Sequence, residues 1–298
     1  MAVAAAAVPR SLYPFDGKTL DRGGLRYHYL DEGAGPPVIM LHGNPTWSFY
    51  YRGLVASLRA DHRVIAPDHI GMGLSDKPDD DRYQYRLASR VDDLAALVEA
   101  LDLPEKITLV MHDWGGMIGM AYASRHPERI ARLVLLNTAA FPLPASMRLP
   151  RSLRLVRDTA LGALAVRGAG AFSRVAARIC CTRRPLTPEL RDAYCAPYHD
   201  WASRIAILRF VQDIPLRPGD PSYALVDQVA RSLPLFRNTP ALICWGDRDF
   251  VFTPEVLERW QREWPQAQIH RFADCGHYLL EDAGEEVQAL VRSFLQAS

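Results

Sequence analysis

The stretch Val110-Met111-His112-Asp113-Trp114-Gly115-Gly116 follows an apolar run and precedes a segment of helical character, Met117–Arg125. A sharp turn from a strand into a helix needs small residues where the backbone is crowded, and the paired glycines meet that need. Met111 stands where such a turn usually has its first glycine. The side chain at the tip of this turn is exposed at the end of a sheet, so the stretch predicts a nucleophile at Asp113.

Short apolar runs alternate with helical periodicity on both sides of this turn, which is typical of a parallel sheet with crossover helices. Apolar residues spaced from Leu87 to Leu101 predict a helix over Tyr85–Leu101. The runs from Val38 onward are nearly unbroken, as in strands buried on both faces. The predicted strands are Arg26–Leu30, Pro37–His42, Val64–Asp68, Ile107–His112, Leu133–Thr138, Ala241–Trp245 and Gln268–Phe272.

The alternation stops between about Phe141 and Leu235, where the chain reads as helices and loops with prolines at both ends. We therefore predict an α/β fold with a mostly parallel sheet, helices on both faces and an inserted helical cap. The core would comprise residues 1–140 and 236–298, and the cap residues 141–235.

The bulk composition excludes several classes of function. A net charge of +1 and the lack of a basic face with aromatics argue against a nucleic-acid partner. The five cysteines show no C-x-x-C spacing, so neither a metal site nor a cofactor is expected, and free thiols suit the cytoplasm. No run reaches the length of a membrane span.

An aspartate nucleophile restricts the reaction. Its carboxylate is ionised at neutral pH without help from a base. Attack on an acyl carbon would give a mixed anhydride, whereas attack on a saturated carbon gives a stable alkyl ester. The chemistry favours a carbon–halogen bond, an epoxide, or the alkyl carbon of a strained lactone.

Donors for a departing anion follow from two motifs. Leu41-His42-Gly43-Asn44-Pro45-Thr46-Trp47 ends a predicted strand, and loops of this kind supply one backbone N–H to an oxyanion hole. The second N–H follows the nucleophile. These are the amides of Asn44 and Trp114, and both side chains also carry N–H donors.

A histidine and an acid come later in the chain, in the order that this kind of nucleophile turn requires. The predicted base is His277. It lies in the stretch Ala273-Asp274-Cys275-Gly276-His277-Tyr278, which follows the last predicted strand. Asp249 follows the preceding strand with W-G-x-x-D spacing and is the predicted acid, with Asp247 as the alternative. Asn137, at another position used for the acid, carries no charge.

These motifs, together with Asp68–Pro78, resemble those of the haloalkane dehalogenases, α/β-hydrolase-fold enzymes whose halide-binding pair matches Asn44 and Trp114. The chain resembles more closely the β-lactone decarboxylases of bacterial long-chain olefin biosynthesis. That closer likeness is carried by Asn137–Pro142, by Ala196–Tyr198 followed by Trp201 and Arg204-Ile205, and by Phe210–Leu216. The resemblance implies conversion of a cis-disubstituted β-lactone to a cis-alkene and CO₂, a route in which His277 need not activate water.

Three alternatives remain open at the level of sequence. A haloalkane dehalogenase would use Asp113 to displace halide and His277 to activate water. An epoxide hydrolase would need an acid such as Tyr194, Tyr198 or Tyr223. A non-catalytic module is disfavoured because nucleophile, base, acid and anion donors are all present.

The predicted cap has a strongly basic part. Nine arginines lie between Arg148 and Arg184, against the single acid Asp158. A solvated helix face is the simpler interpretation, and a surface that meets anionic lipid or an acidic protein is the alternative. The resemblance implies a lipid-like substrate and assembly with a condensing enzyme, a reductase and a β-lactone synthetase of the olefin pathway.

Overall fold

A computed structural model describes residues 8–104, 106–143 and 149–297. Its centre is an eight-stranded sheet in the order β1-β2-β4-β3-β5-β6-β7-β8. The β1–β2 and β2–β4 pairs are antiparallel, and the remaining pairs are parallel. The predicted α/β fold with a mostly parallel sheet is therefore confirmed.

Every predicted strand is present, with ends shifted by at most a few residues. Strand β1 was not predicted, because its short and largely exposed sequence has no apolar pattern. Strand β8 is only partly buried at the edge of the sheet, so the expectation of burial on both faces was wrong there. The strands are β1 Lys18–Asp21, β2 Arg26–Glu32, β3 Pro37–Leu41, β4 Arg63–Pro67, β5 Ile107–Asp113, β6 Ile130–Thr138, β7 Ala241–Gly246 and β8 Gln268–Phe272.

Helices connect the strands and cover the sheet. The helix predicted over Tyr85–Leu101 is observed as Leu87–Ala100. The α-helices are α1 Arg52–Leu58, α2 Leu87–Ala100, α3 Trp114–Arg125, α4 Arg151–Asp158, α5 Ala160–Arg167, α6 Ala171–Ile179, α7 Pro188–Cys195, α8 Ile205–Gln212, α9 Tyr223–Ser232, α10 Pro254–Glu263, α11 Leu279–Asp282 and α12 Gly284–Gln296. Among the described residues, no helix is both long and apolar enough to span a bilayer.

The stretch between β6 and β7 contains α4 to α9 and no strand among its described residues. Helix α9 packs against α3, directly on the helix that follows Asp113. The division between a core and a cap at residue 235 stays a prediction. Arg148, one of the nine arginines, lies outside the described residues.

Candidate active site

Asp113 lies at the junction of β5 and α3 in a strained backbone conformation, with φ 50° and ψ −124°. A non-glycine residue with positive φ is uncommon and is tolerated where the surroundings impose it. A Cβ atom on Gly115 would lie 1.9 Å from the Leu41 carbonyl oxygen, and one on Gly116 would lie 1.9 Å from Oγ1 of Thr138. The paired glycines are thus required by the close approach of β3 and β6 to this turn.

The departure at Met111 has a steric explanation. Met111 is fully buried on β5. A Cβ atom on Gly119, one turn into α3, would lie 2.5 Å from the Met111 sulfur. The space for the longer side chain is therefore provided by a glycine on the helix that packs over it.

Two backbone amides hold the Asp113 carboxylate. The Asn44 N–H donates to Oδ1 at 2.7 Å, and the Trp114 N–H also hydrogen-bonds this carboxylate. The other oxygen, Oδ2, lies 3.8 Å from Nε2 of His277. Burial raises the pKa of Asp113, while His277 and the two amides oppose the rise. Oδ2 is thus the oxygen on the His277 side, and the Asn44 amide holds the other.

Asp249 orients His277 by contacting the ring nitrogen that faces away from Asp113. Its Nδ1 lies 2.8 Å from Asp249 Oδ2, and Asp249 Oδ1 accepts the N–H groups of Val251 and Phe252. Burial lowers the pKa of His277, but the Asp249 carboxylate and the charge of Asp113 together outweigh it, so the net pKa is raised. An imidazole oriented in this way has a fixed tautomer, with Nε2 facing the nucleophile.

Asp247, the alternative acid, and Asn137, at the other position used for the acid, both have partners other than His277. Asp247 forms an ion pair with Arg271 at the surface. Asn137 uses both ends of its amide on the backbone of Gly246, at 2.8 and 3.0 Å. Asn137 therefore links the end of β6 to the end of β7. The loop that carries Asp249 begins directly after β7.

The predicted anion donors both border the same cavity as Asp113. The Asn44 amide donates through Nδ2 to the Ile207 carbonyl at 3.1 Å, and no second acceptor for this group lies within the described residues. The Trp114 indole packs edge-on against Phe210, with ring centroids 5.3 Å apart. Both donors thus contact α8.

The cavity has a volume of about 260 Å³ and an almost entirely apolar wall. Asn44, Asp113, Trp114 and His277 form its polar end. Its remaining wall comes largely from α4, α5 and α6, and includes Val156, Val166, Phe172 and Ala176. Such a wall suits an alkyl chain, with a reactive group placed against Asp113.

The three tyrosines considered as epoxide-opening acids are not among the described residues that line this cavity. Tyr194 donates to Glu281, and Tyr198 contacts the carbonyl of Thr46. The arrangement therefore supplies no tyrosine acid beside Asp113, which counts against epoxide hydrolysis.

Other residues of the site were not predicted from sequence. Phe250 and Phe252 flank the His277 ring, with centroids 6.3 and 5.9 Å away. Phe210 and Arg90 lie behind Trp114. The two phenylalanines near Asp249 could have been found from their position directly after the acid, whereas Arg90 had no local signal.

Comparison with known proteins identifies the fold family and named relatives. Residues 36–284 match a family model described as the alpha/beta hydrolase fold. A cis-3-alkyl-4-alkyloxetan-2-one decarboxylase from Shewanella oneidensis is 55% identical, covering 96% of this chain and 90% of its own. A protein of the same name from Xanthomonas campestris is 46% identical over 95% of this chain and 97% of its own.

Among solved structures, a point mutant of the haloalkane dehalogenase DatA from Agrobacterium tumefaciens superposes with a TM-score of 0.87. It is 27% identical in sequence, and the match covers 97% of this chain and 100% of that chain. The structural likeness therefore extends through the helices between β6 and β7.

Proposed function

The chain belongs to the α/β-hydrolase fold family, among the cis-3-alkyl-4-alkyloxetan-2-one decarboxylases, and we propose that it converts long-chain cis-dialkyl β-lactones to cis-alkenes and CO₂. The observation that carries the proposal is that Asp113, Asn44 and Trp114 meet at the polar end of one apolar cavity. A carboxylate nucleophile and anion donors suit a substrate that releases a carboxylate, and the apolar wall suits its alkyl chains.

In the first step, Oδ2 of Asp113 attacks the ring carbon that bears the ester oxygen. A new C–O bond forms with inversion, the ring C–O bond breaks, and its electron pair becomes a carboxylate. The free N–H of Asn44 and the indole N–H of Trp114 receive this anion. Donors placed in advance at a developing charge are typically worth about 3–4 kcal/mol each.

In the second step, the carbon–carboxylate bond breaks and its electron pair forms the alkene. The bond to Asp113 breaks in the same step, and its electron pair restores the carboxylate. Inversion followed by anti elimination is a net syn process, which converts a cis-lactone to a cis-alkene. Atoms balance as lactone to alkene and CO₂, without water.

His277 acts by its charge in this scheme. Its raised pKa increases the protonated fraction near neutral pH, and its Nε2 lies 3.8 Å from Asp113 Oδ2. A cation at this distance stabilises Asp113 as it leaves with negative charge. Water is not a reactant in either step, so this scheme needs His277 for its charge and not as a general base.

Haloalkane dehalogenation is the second candidate, because the same two donors could hold halide and the dehalogenase structure superposes closely. Both reactions begin at Asp113 and differ in the fate of the ester. Neutral His277 would activate water for hydrolysis, whereas the apolar wall disfavours water beside the ester.

Purified enzyme should be incubated with a long-chain cis-dialkyl β-lactone and, separately, with 1-bromohexane. Gas chromatography follows alkene and an ion assay follows bromide, with Asp113→Ala as the control. We expect cis-alkene that depends on Asp113 and little bromide. Rapid bromide release with untouched lactone would make the protein a dehalogenase, and cis-alkene formed from a trans-lactone would contradict the stereochemical scheme.

We also propose a cytoplasmic location and a peripheral contact between the cavity mouth and an anionic membrane. The rim surface consists of exposed apolar and basic residues on α4, α5 and α6. Leu155, Val175 and Ile179 are 47 to 49% exposed and also line the cavity. The remaining members of the rim surface are Leu161, Leu164, Arg151, Arg154, Arg174 and Arg178.

Charge complementarity favours anionic lipid as the occupant of the rim surface. Within the described residues, Arg151, Arg154 and Arg174 form no ion pair, whereas Arg157 is neutralised by Asp158 and Asp220. Unpaired arginines beside exposed aliphatic side chains are typical of helices that lie in the interface of anionic membranes. A lipid-like substrate would then enter the cavity directly from the bilayer.

Vesicle co-sedimentation tests this contact, with phosphatidylcholine alone and mixed with phosphatidylglycerol. We expect the wild-type protein to bind the anionic vesicles. The double variant Arg154→Gln/Arg174→Gln should abolish this binding, and the control Arg237→Gln/Arg262→Gln should preserve it. Equal sedimentation with both kinds of vesicle, or none, would overturn the membrane proposal. Arginine-dependent co-purification with the other olefin-pathway enzymes, without vesicle binding, would assign the rim surface to a protein partner instead.

A further inference from the structure

Arg90 on α2 is completely buried behind the candidate anion site. Its guanidinium carbon lies 3.7 Å from the ring centroid of Phe210 and 5.6 Å from that of Trp114. Nη1 lies 3.3 Å from Oδ2 of Asp213. Nε and Nη2 have no hydrogen-bond partner within the described part of the chain. A fully buried cation thus has one carboxylate partner and two aromatic rings as its principal surroundings.

Burying a guanidinium is costly unless the surroundings compensate its charge. Asp213 compensates it from one side, but this carboxylate is shared with the Leu87 N–H at 2.8 Å and the Ser222 hydroxyl at 2.8 Å. The π-faces of aromatic rings attract a cation from the other side. The positive end of the Arg90–Asp213 pair is therefore the end that contacts the rings.

Helix α8 connects this pair to both anion donors. Its Ile207 carbonyl accepts the Asn44 side-chain amide, and its Phe210 ring packs against the Trp114 indole. Asp213 follows directly after the last residue of α8. Any shift of α8 would therefore move the contacts of Asn44 and Trp114 together.

We propose that Arg90 is a positioning residue of the anion site, which orients Trp114 through Phe210, fixes α8 through Asp213 and favours anion binding by its charge. This inference rests on the proposed function only in taking the anion to be the released carboxylate. A permanent cation acts on a nearby anion beyond contact distance where water is excluded. A cation against an aromatic system also withdraws electron density, which makes the indole N–H a stronger donor.

Bromide serves as the probe because its binding can be measured without any lactone. Tryptophan fluorescence quenching reports it, with Trp114→Phe used to subtract quenching of the other tryptophans. We expect Arg90→Gln to weaken bromide binding by about tenfold, which is the size that a desolvated cation–π contact can carry. We expect a similar fall in kcat for lactone, since the same donors hold the released carboxylate.

Arg86→Gln is the matched control. Arg86 also pairs with Asp213, at 3.2 Å, but its side chain is 47% exposed. We expect this variant to bind bromide within twofold of the wild type. If Arg90→Gln does not fold, bromide binding is measured instead with Arg90→Lys and with the charge-balanced double variant Arg90→Met/Asp213→Asn. We expect the bromide affinity of Arg90→Lys to be closer to the wild-type value than that of the double variant.

Bromide affinity unchanged in Arg90→Gln, or in the double variant, would overturn the proposal and leave Arg90 as a structural contact alone. Equal losses in Arg86→Gln and Arg90→Gln would also overturn it, because loss of any partner of Asp213 would then suffice. Failure of the proposed function has a different signature: wild-type enzyme would bind bromide normally and leave the lactone unconverted.

Discussion

Gly43→Ala should disable the enzyme without unfolding it. A Cβ atom at this position would lie 2.0 Å from Asp113 Oδ1, 2.3 Å from Cβ and 2.5 Å from Cγ. Real Cβ atoms essentially never approach another heavy atom within 3.0 Å. The carboxylate must therefore move by about 1 Å, and the hydrogen bond from the Asn44 amide at 2.7 Å would be lost or distorted.

A displacement of about 1 Å at a reacting atom costs roughly 100-fold in rate, or about 2.7 kcal/mol of transition-state stabilisation. Initial rates of alkene formation from a cis-β-lactone measure the effect, and circular dichroism with thermal denaturation checks the fold. Gly219→Ala is the control, because nothing lies within 4 Å of its added Cβ. A Gly43→Ala enzyme within threefold of the wild-type rate would refute the inferred crowding of Asp113.

Three further changes test other parts of the site. Trp114→Phe keeps the ring but removes the indole N–H, and should lower kcat for lactone by about 100-fold, as measured by gas chromatography; an unchanged rate would exclude the indole as an anion donor. Asp249→Asn should lower the pKa of His277, followed by NMR titration of its ring proton, because burial is then opposed by the Asp113 carboxylate alone. In the wild type the raised pKa of His277 means that the His277–Asp249 pair stabilises the fold below about pH 6.5, and that this stabilisation is lost as pH rises through the folded pKa. The Asp249→Asn variant should lose that pH dependence of stability. An unfolding profile against pH identical to that of the wild type would contradict this prediction. Ala176→Leu adds three carbons to the cavity wall and should shift the preferred lactone to alkyl chains shorter by about three carbons. Each methylene that no longer fits loses roughly 0.8 kcal/mol of apolar burial. An unchanged chain-length profile would place the alkyl chain elsewhere.

The parallel strands and the turn at Asp113 could be predicted because each carries its signal within a few consecutive residues. Buried strands are continuous apolar runs, and the crowded turn needs its adjacent glycines. His277 and Asp249 were also local, since each follows a strand whose end lies at the same edge of the sheet. Their proximity then followed from the topology, although their catalytic roles stay predictions.

The support behind the anion site could not be predicted in this way. Arg90 and Phe210 are far apart in sequence, and their contact depends on how α8 packs against α2 and α3. A single arginine on a helix normally indicates a solvated position. Strand β1 could not be predicted for a related reason, because it is held by pairing with β2 rather than by burying apolar side chains.

The central claim is that Asp113 forms an ester with the substrate that decays by loss of CO₂. Rapid quenching of a single turnover with a cis-β-lactone, followed by proteolysis and mass spectrometry of the peptide containing Asp113, tests it most directly. The account predicts an adduct on Asp113 with the full mass of the lactone, which disappears as cis-alkene forms. Alkene formation with no adduct on Asp113 at any quench time, or an adduct that decays to a hydroxy acid, would contradict it.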